Sequence, residues 1–214
     1  MQNLSNFIEL QLSNPKLSIE EMYSALSTVQ QNKLAGLIVP PFWVKKMRRD
    51  WGTENTATLG TVIGFPNGYQ RTEVKQLETE LALKDGATDI EVMLNTSAWF
   101  STQNNWVKIE FAKLGKLIHQ QEAFFTVAID ANYFDTPNLQ QAIKEAIDAG
   151  VDYIKIYKPF DINESLRIKE WIPASVGLKV CADGANQQEL QKLINAGVER
   201  ICINNFTSSQ TFSF

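Results

Sequence analysis

Two short apolar runs each carry a single lysine where a strand would hide it: Tyr153-Ile154-Lys155-Ile156-Tyr157 and Val176-Gly177-Leu178-Lys179-Val180-Cys181. Successive side chains of a strand face opposite ways. In the first run Ile154 and Ile156 share one face, and Tyr153, Lys155 and Tyr157 share the other. In the second, Leu178 and Val180 oppose Gly177, Lys179 and Cys181. Helices packed against a parallel sheet cover its apolar face, so both amines are expected on the inside of a closed sheet. The same sorting sends Glu91, Met93 and Asn95 inward from the run Asp89 to Asn95, and Thr126, Ala128 and Asp130 inward from the run Phe124 to Asp130. Glu91, Asp130, Lys155 and Lys179 thus converge from four consecutive strands.

Taken singly, each of these groups has a structural explanation. A strand lysine snorkels to the strand end, and a buried glutamate meets backbone or an arginine. Taken together they point to a reactive site, because an unpaired interior charge is costly and perturbed titratable groups gather where chemistry occurs. A protonated lysine is a poor nucleophile. Desolvation or a neighbouring cation lowers its pKa and frees the lone pair for attack on a carbonyl. The resulting iminium draws electrons from the adjacent carbon, so a carbon–carbon bond can break or form while a carboxylate such as Glu91 moves protons.

The elements that must position these groups alternate along the chain. Strands are expected over Asn6 to Leu10, Gly36 to Val39, Ala57 to Gly64, Asp89 to Leu94, Phe124 to Asp130, Tyr153 to Tyr157, Val176 to Cys181 and Arg200 to Asn204. Helical patterns lie between them, over Ile19 to Gln31, Pro41 to Asp50, Arg71 to Lys84, Asn105 to Gln121, Pro137 to Ala149, Glu164 to Trp171 and Asn186 to Ala196. A turn recurs as Asp85-Gly86-Ala87-Thr88-Asp89-Ile90, Ala149-Gly150-Val151-Asp152-Tyr153-Ile154 and Ala196-Gly197-Val198-Glu199-Arg200-Ile201. In each a glycine ends a helix and an apolar strand follows, as in a parallel α/β fold. Eight such units favour a closed (β/α)8 TIM barrel, one domain over residues 1–214, over a doubly wound sheet. Only Phe206 to Phe214 follow the last strand segment and its loop, so the final helix is expected to be shortened or missing.

Composition bounds the partners. Hydrophobic residues make up 44% and charged residues 21% of the 214, with a formal net charge of −4. That balance, with acids and bases interspersed, offers no stripe for nucleic acid or an anionic membrane, so the expected partner is a small molecule. Cys181 and Cys202 lack metal-ligand spacing and His119 is the only histidine, so neither a metal nor another cofactor is expected. No secretory signal or membrane span is read at the sequence level, and a cytoplasmic location is the expectation. Lys158 could act as a point charge toward an anion, although a loop lysine is ordinarily solvated. Trp43, Trp99 and Trp106 read as packing residues or as anchors of an interface, and a homodimer is one expectation.

With those residues in hand, the chain resembles the deoxyribose-phosphate aldolase family of class I aldolases over about Asn6 to Ser209. Thr61-Val62-Ile63-Gly64-Phe65-Pro66-Asn67-Gly68 is similar to the family's TVIGFPxG, Asp89 to Asn95 to EIDMVIN, Tyr153-Ile154-Lys155 to the start of FIKTSTG, and Val176-Gly177-Leu178-Lys179 to the start of VGVKASGG. The resemblance implies that Lys155 forms the Schiff base, that Lys179 depresses its pKa, and that Glu91 stands at the proton-shuttling aspartate. It also implies reversible cleavage of 2-deoxyribose 5-phosphate to glyceraldehyde 3-phosphate and acetaldehyde. Glu9 falls at the acid of the family's DHTLL, here Glu9-Leu10-Gln11-Leu12-Ser13, and Ser208 and Ser209 at the serines of GASS. With Asn95, Asp130 and Lys158 these are the candidate substrate-binding residues. Ile156-Tyr157-Lys158-Pro159 stands where the family has TSTG, and Val180-Cys181-Ala182-Asp183-Gly184-Ala185 replaces its paired glycines. Hydroxyls and glycines expected to cradle a phosphate are therefore missing, which favours as alternatives a different aldehyde acceptor, unphosphorylated or differently charged, or an inactive binding barrel.

Overall fold

In a parallel sheet whose outer face is covered by helices, outward residues are expected to be apolar, and the strands of this chain follow that rule except at Thr61, whose buried hydroxyl donates to the Val39 carbonyl at 2.8 Å. A computed structural model describes residues 3–52, 56–101 and 105–204. Its strands are β1 (Ile8–Gln11), β2 (Gly36–Val39), β3 (Thr58–Ile63), β4 (Asp89–Met93), β5 (Phe124–Asp130), β6 (Tyr153–Tyr157), β7 (Gly177–Cys181) and β8 (Arg200–Asn204). They pair in parallel in chain order, and β8 pairs back onto β1 to close an eight-stranded barrel. Outside it lie α1 (Ile19–Asn32), α2 (Val44–Trp51), α3 (Thr72–Lys84), α4 (Thr96–Trp99), α5 (Asn105–His119), α6 (Thr136–Asp148), α7 (Ile162–Glu170) and α8 (Gln187–Asn195). Among the described residues no helix is long and apolar enough to cross a membrane.

The elements follow the expected ones closely, and the differences have local causes. The first strand starts at Ile8 because Leu4–Phe7 wind into a 3-10 turn whose cap, Asn3, accepts from the Ser5 amide at 3.2 Å. A second 3-10 turn, Pro41–Trp43, precedes α2 with proline in its first position, where a missing N–H costs nothing. The short α4 has no apolar period to announce it. It forms because Asn95, just beyond β4, accepts from the Ala98 amide at 3.0 Å. The recurring turns close as expected, with Gly86, Gly150 and Gly197 at φ of 99°, 81° and 87°. The expectation for a final helix falls on residues 205–214, outside the described residues.

Two apolar regions result. Ile8, Leu37, Leu59, Ile90, Val127, Ile154, Leu178 and Ile201 face the helices and join the main core. Inside the barrel a smaller group gathers Ile38, Val62, Met93, Ala128, Cys181 and Cys202, with Tyr157 against it. On each of β4, β6 and β7 one charged residue lies two positions before a residue in or against this inner group, as Glu91 before Met93, Lys155 before Tyr157 and Lys179 before Cys181. The interior is therefore layered, with charge beneath and apolar packing toward the C-terminal mouth, where barrels of this kind carry their chemistry.

Candidate active site

Lys155 and Lys179 are direct partners across the β6–β7 pairing, and both side chains are fully buried. Alternation and register together bring the amines to one level, and Glu91 joins them from β4. Its Oε2 accepts from Lys155 Nζ at 2.7 Å and its Oε1 from Lys179 Nζ at 3.1 Å. One carboxylate thus spans two ammonium groups inside an interior that excludes water. Burial would push the Glu91 carboxyl up, but the charges of Lys155 and Lys179 outweigh it and hold it below its ordinary range.

Each lysine has further partners of its own. Lys155 Nζ donates to Gln11 Oε1 at 2.6 Å and lies 5.0 Å from the centre of the Tyr157 ring. Lys179 Nζ donates to Asp89 and, at 3.3 Å, to Glu9 Oε1, and it lies 5.1 Å from the Tyr153 ring. Arg200 closes the lower end, its Nε 3.4 Å from Glu9 Oε1. Glu9, Asp89 and Glu91 approach closely enough to hold a metal ion, but the Lys179 ammonium already sits among them.

In the resting site these partners work against the expected lowering of the Lys155 pKa by Lys179. Burial opposes the charge on Lys155, yet the Cys202 sulfur and the Glu91 carboxylate outweigh it, and the ammonium is held well above its ordinary value. Burial also keeps the Cys202 thiol protonated, so near neutrality Glu91 is the partner that acts. For Lys179 burial is overcome by Asp89, Glu9 and Glu91, and this group too is held well above its ordinary value. Asp89 responds to burial first, is opposed by Lys179, and is pushed up to about 6. The physical reason is a count of charges: three carboxylates face the two lysines, so the resting site stabilises protonated amines.

Of the residues singled out from sequence, the structure brings together Lys155, Lys179, Glu91 and Glu9. Asp130 does not join them, because it ends β5 half-buried and accepts from the Asn132 amide at 3.1 Å. Asn95 is spent on capping α4. Lys158 is neutralised by Glu164 at 2.5 Å. Ser208 and Ser209 lie outside the described residues. Missed were Asp89, Gln11 and Arg200. Asp89 shares the parity of Glu91 and Gln11 that of Glu9, so the same alternation could have placed both. Lys75 was missed too. Buried on α3, it donates to the Met93 carbonyl at 2.8 Å and to Glu110 at 2.6 Å, so it grips β4 two residues beyond Glu91.

No family model matches this chain. Among curated proteins, the deoxyribose-phosphate aldolase of Thermococcus kodakarensis is 26% identical over 207 residues, covering 94% of this chain and 92% of that protein. The deoxyribose-phosphate aldolase of Bacillus mycoides is 23% identical over 204 residues, covering 93% and 91%. Over nearly its whole length the chain is thus similar, as a divergent relative, to deoxyribose-phosphate aldolases. Solved structures agree in fold: the aldolase QR15 matches with a TM-score of 0.84 at 24% identity, covering 95% of this chain and 92% of that one. The tetrameric deoxyribose phosphate aldolase of Aeropyrum pernix matches with a TM-score of 0.81 at 23% identity, covering 93% and 86%.

Against the motifs of the deoxyribose-phosphate aldolase family, the departures cluster at the mouth. Asp183, beyond β7, accepts from the amide of Asn204 at 2.7 Å and from its Nδ2 at 2.8 Å, which ties the ends of β7 and β8 together through a carboxylate. The glycine-containing loop after β3 packs closely on the end of β4. Gly68 sits at φ 68°, and a Cβ there would lie 2.6 Å from the carbonyl oxygens of Met93 and Leu94. Gly68→Ala is therefore expected to lower stability by more than about 1 kcal/mol, because both backbone strain and the clash with the end of β4 must be relieved. Urea unfolding checks it, and an unchanged midpoint would contradict the loop geometry.

Proposed function

We propose that this chain, as a single barrel domain over residues 1–214, is a class I aldolase acting through an imine on Lys155. The observation that carries the reading is the Glu91 carboxylate held between Lys155 and Lys179 at 2.7 and 3.1 Å in a buried interior. Because the resting Lys155 is an ammonium, attack requires that its proton pass to Glu91 as the carbonyl arrives. Lys179 keeps Glu91 ionised until that moment. The neutral amine adds to the aldehyde carbon of the substrate, water leaves, and the iminium takes up the electron pair of the breaking bond as the neighbouring hydroxyl loses its proton. For 2-deoxyribose 5-phosphate this releases glyceraldehyde 3-phosphate, and protonation and hydrolysis of the enamine release acetaldehyde.

Incubation with acetaldehyde and borohydride should add one ethyl group to Lys155, read by peptide mass. An adduct only on Lys179, or none, ends the reading. A second reading of the acceptor is favoured by Lys158, neutralised by Glu164, and by the Asp183 carboxylate at the mouth. Both oppose a phosphate there, so kcat/KM for 2-deoxyribose against its 5-phosphate decides between an unphosphorylated and a phosphorylated acceptor. For self-association, Val74, Leu77 and Leu81 on α3 and Trp106 and Ile109 on α5 leave apolar side chains exposed, which supports a homodimer testable by sedimentation.

A further inference from the structure

Gln11 and Tyr157 are not accounted for by the imine chemistry, yet they stand directly over it. Tyr157 follows Lys155 by two positions on β6, so alternation turns its ring inward above the amine. Gln11 links the two groups and its amide is fixed at both ends: Oε1 accepts from Lys155 Nζ at 2.6 Å and Nε2 donates to the Tyr157 hydroxyl at 2.9 Å. The phenol oxygen therefore acts as an acceptor toward Gln11, while its own proton meets no acceptor among the described residues. The Phe65 ring lies 6.4 Å from that of Tyr157, and Phe65 and Gln11 line a cavity of about 80 Å³ with Ile38, Val39, Val62 and Pro40. Since about 10–15 Å³ of such space already holds one water, this cavity has room for a two- or three-carbon fragment. Its walls are mostly apolar, apart from Gln11 and Ser13, and the Tyr157 phenol stands beside it.

We propose that Tyr157, oriented by Gln11, is a catalytic residue that binds the oxygen of the acceptor aldehyde and gives it a proton as the carbon–carbon bond forms. The inference rests on the Lys155 imine and names the group that serves the second reactant. In the forming direction the enamine carbon of the Lys155 adduct attacks the acceptor carbonyl carbon. The carbonyl π pair moves to oxygen, which takes the phenolic proton, and the enamine nitrogen becomes an iminium. The phenolate faces that cation and is reprotonated by water at the mouth. In the cleaving direction water takes the phenolic proton and the phenolate removes the substrate hydroxyl proton as the bond breaks. Burial pushes the phenol up and the Lys155 charge opposes it, so the resting group is protonated and the cation next to it is what eases its ionisation.

The test uses the full chain with Tyr157→Phe and three readouts. Borohydride trapping of acetaldehyde on Lys155 and deuterium exchange into the acetaldehyde methyl group report imine and enamine formation. Addition of acetaldehyde to an acceptor aldehyde reports bond formation. Trapping and exchange are expected to stay within about threefold of the parent while bond formation falls about 100-fold, the usual worth of a placed proton donor. Gln11→Leu, which keeps the phenol but frees it, is expected to lower the same step by about tenfold. Unchanged bond formation in Tyr157→Phe, or an equal fall in exchange and bond formation, overturns the role. Absence of trapping and exchange in the parent protein would instead sink the Lys155 reading on which it depends.

Discussion

Lys155→Met is expected to remove borohydride trapping and to lower carbon–carbon bond turnover by on the order of 10⁴-fold or more, while the barrel stays folded. The chemical half of this expectation follows from the absence of a substitute. Lys179 lies beside Lys155, but its ammonium is committed to Asp89, Glu9 and Glu91, and deprotonating it would strand those carboxylates. The structural half follows from what remains. Methionine fills a similar volume, Glu91 keeps Lys179 at 3.1 Å, and Gln11 keeps the Tyr157 hydroxyl at 2.9 Å. The cost is then the loss of one contact to Glu91 and one to Gln11, without an uncompensated cation. Adduct mass and turnover, measured beside a thermal melt, check both halves. Trapping that moved to Lys179 with turnover preserved would show that the nucleophile had been misassigned.

The parts of this site legible in the sequence are those fixed by alternation. Lys155, Lys179 and Glu91 each sit within a strand whose other face is apolar, so period-2 sorting was enough to turn them inward, and the glycine turns after α3, α6 and α8 set the strand count. Asp130 shows where the rule stops. It has the right parity but falls at the last position of β5, where the next residues bend into a 3-10 turn and recruit it as a cap. Asp89 shows the opposite limit, an inward acid at a strand start that sorting reaches but that reads as part of the preceding turn. The protonation state was not legible at all. It depends on how many carboxylates reach the amines, and Glu9 comes from a strand 170 residues away from Lys179 in sequence. Nor could spacing show that Gln11 would span from Lys155 to Tyr157, since the two partners are 146 residues apart for Gln11 and the phenol.

Lys179→Met is expected to act mainly on stability, lowering it by about 3–5 kcal/mol near pH 8, the range found when one member of a buried ionic group is removed. Lys179 is the shared cation of Glu9, Asp89 and Glu91, and a neutral side chain leaves Asp89 with no ammonium partner. The pH dependence has a definite sign. Asp89 is already pushed up to about 6 with Lys179 present, above the roughly 3.9 of an unfolded aspartate. The folded protein therefore binds this proton more tightly than the unfolded chain, so the unfavourable contribution of Asp89 is complete above about 6 and is relieved as pH falls toward 4. Removing Lys179 takes away the charge that opposed the rise, which moves the folded value higher still and widens that window upward. The stability gap between Lys179→Met and the parent should then shrink steadily from pH 8 to pH 5. Urea unfolding at both pH values measures it. A gap that stayed constant would mean the lost interaction was packing of the lysine stem against Tyr153, with little of it coming from neutralising the three acids.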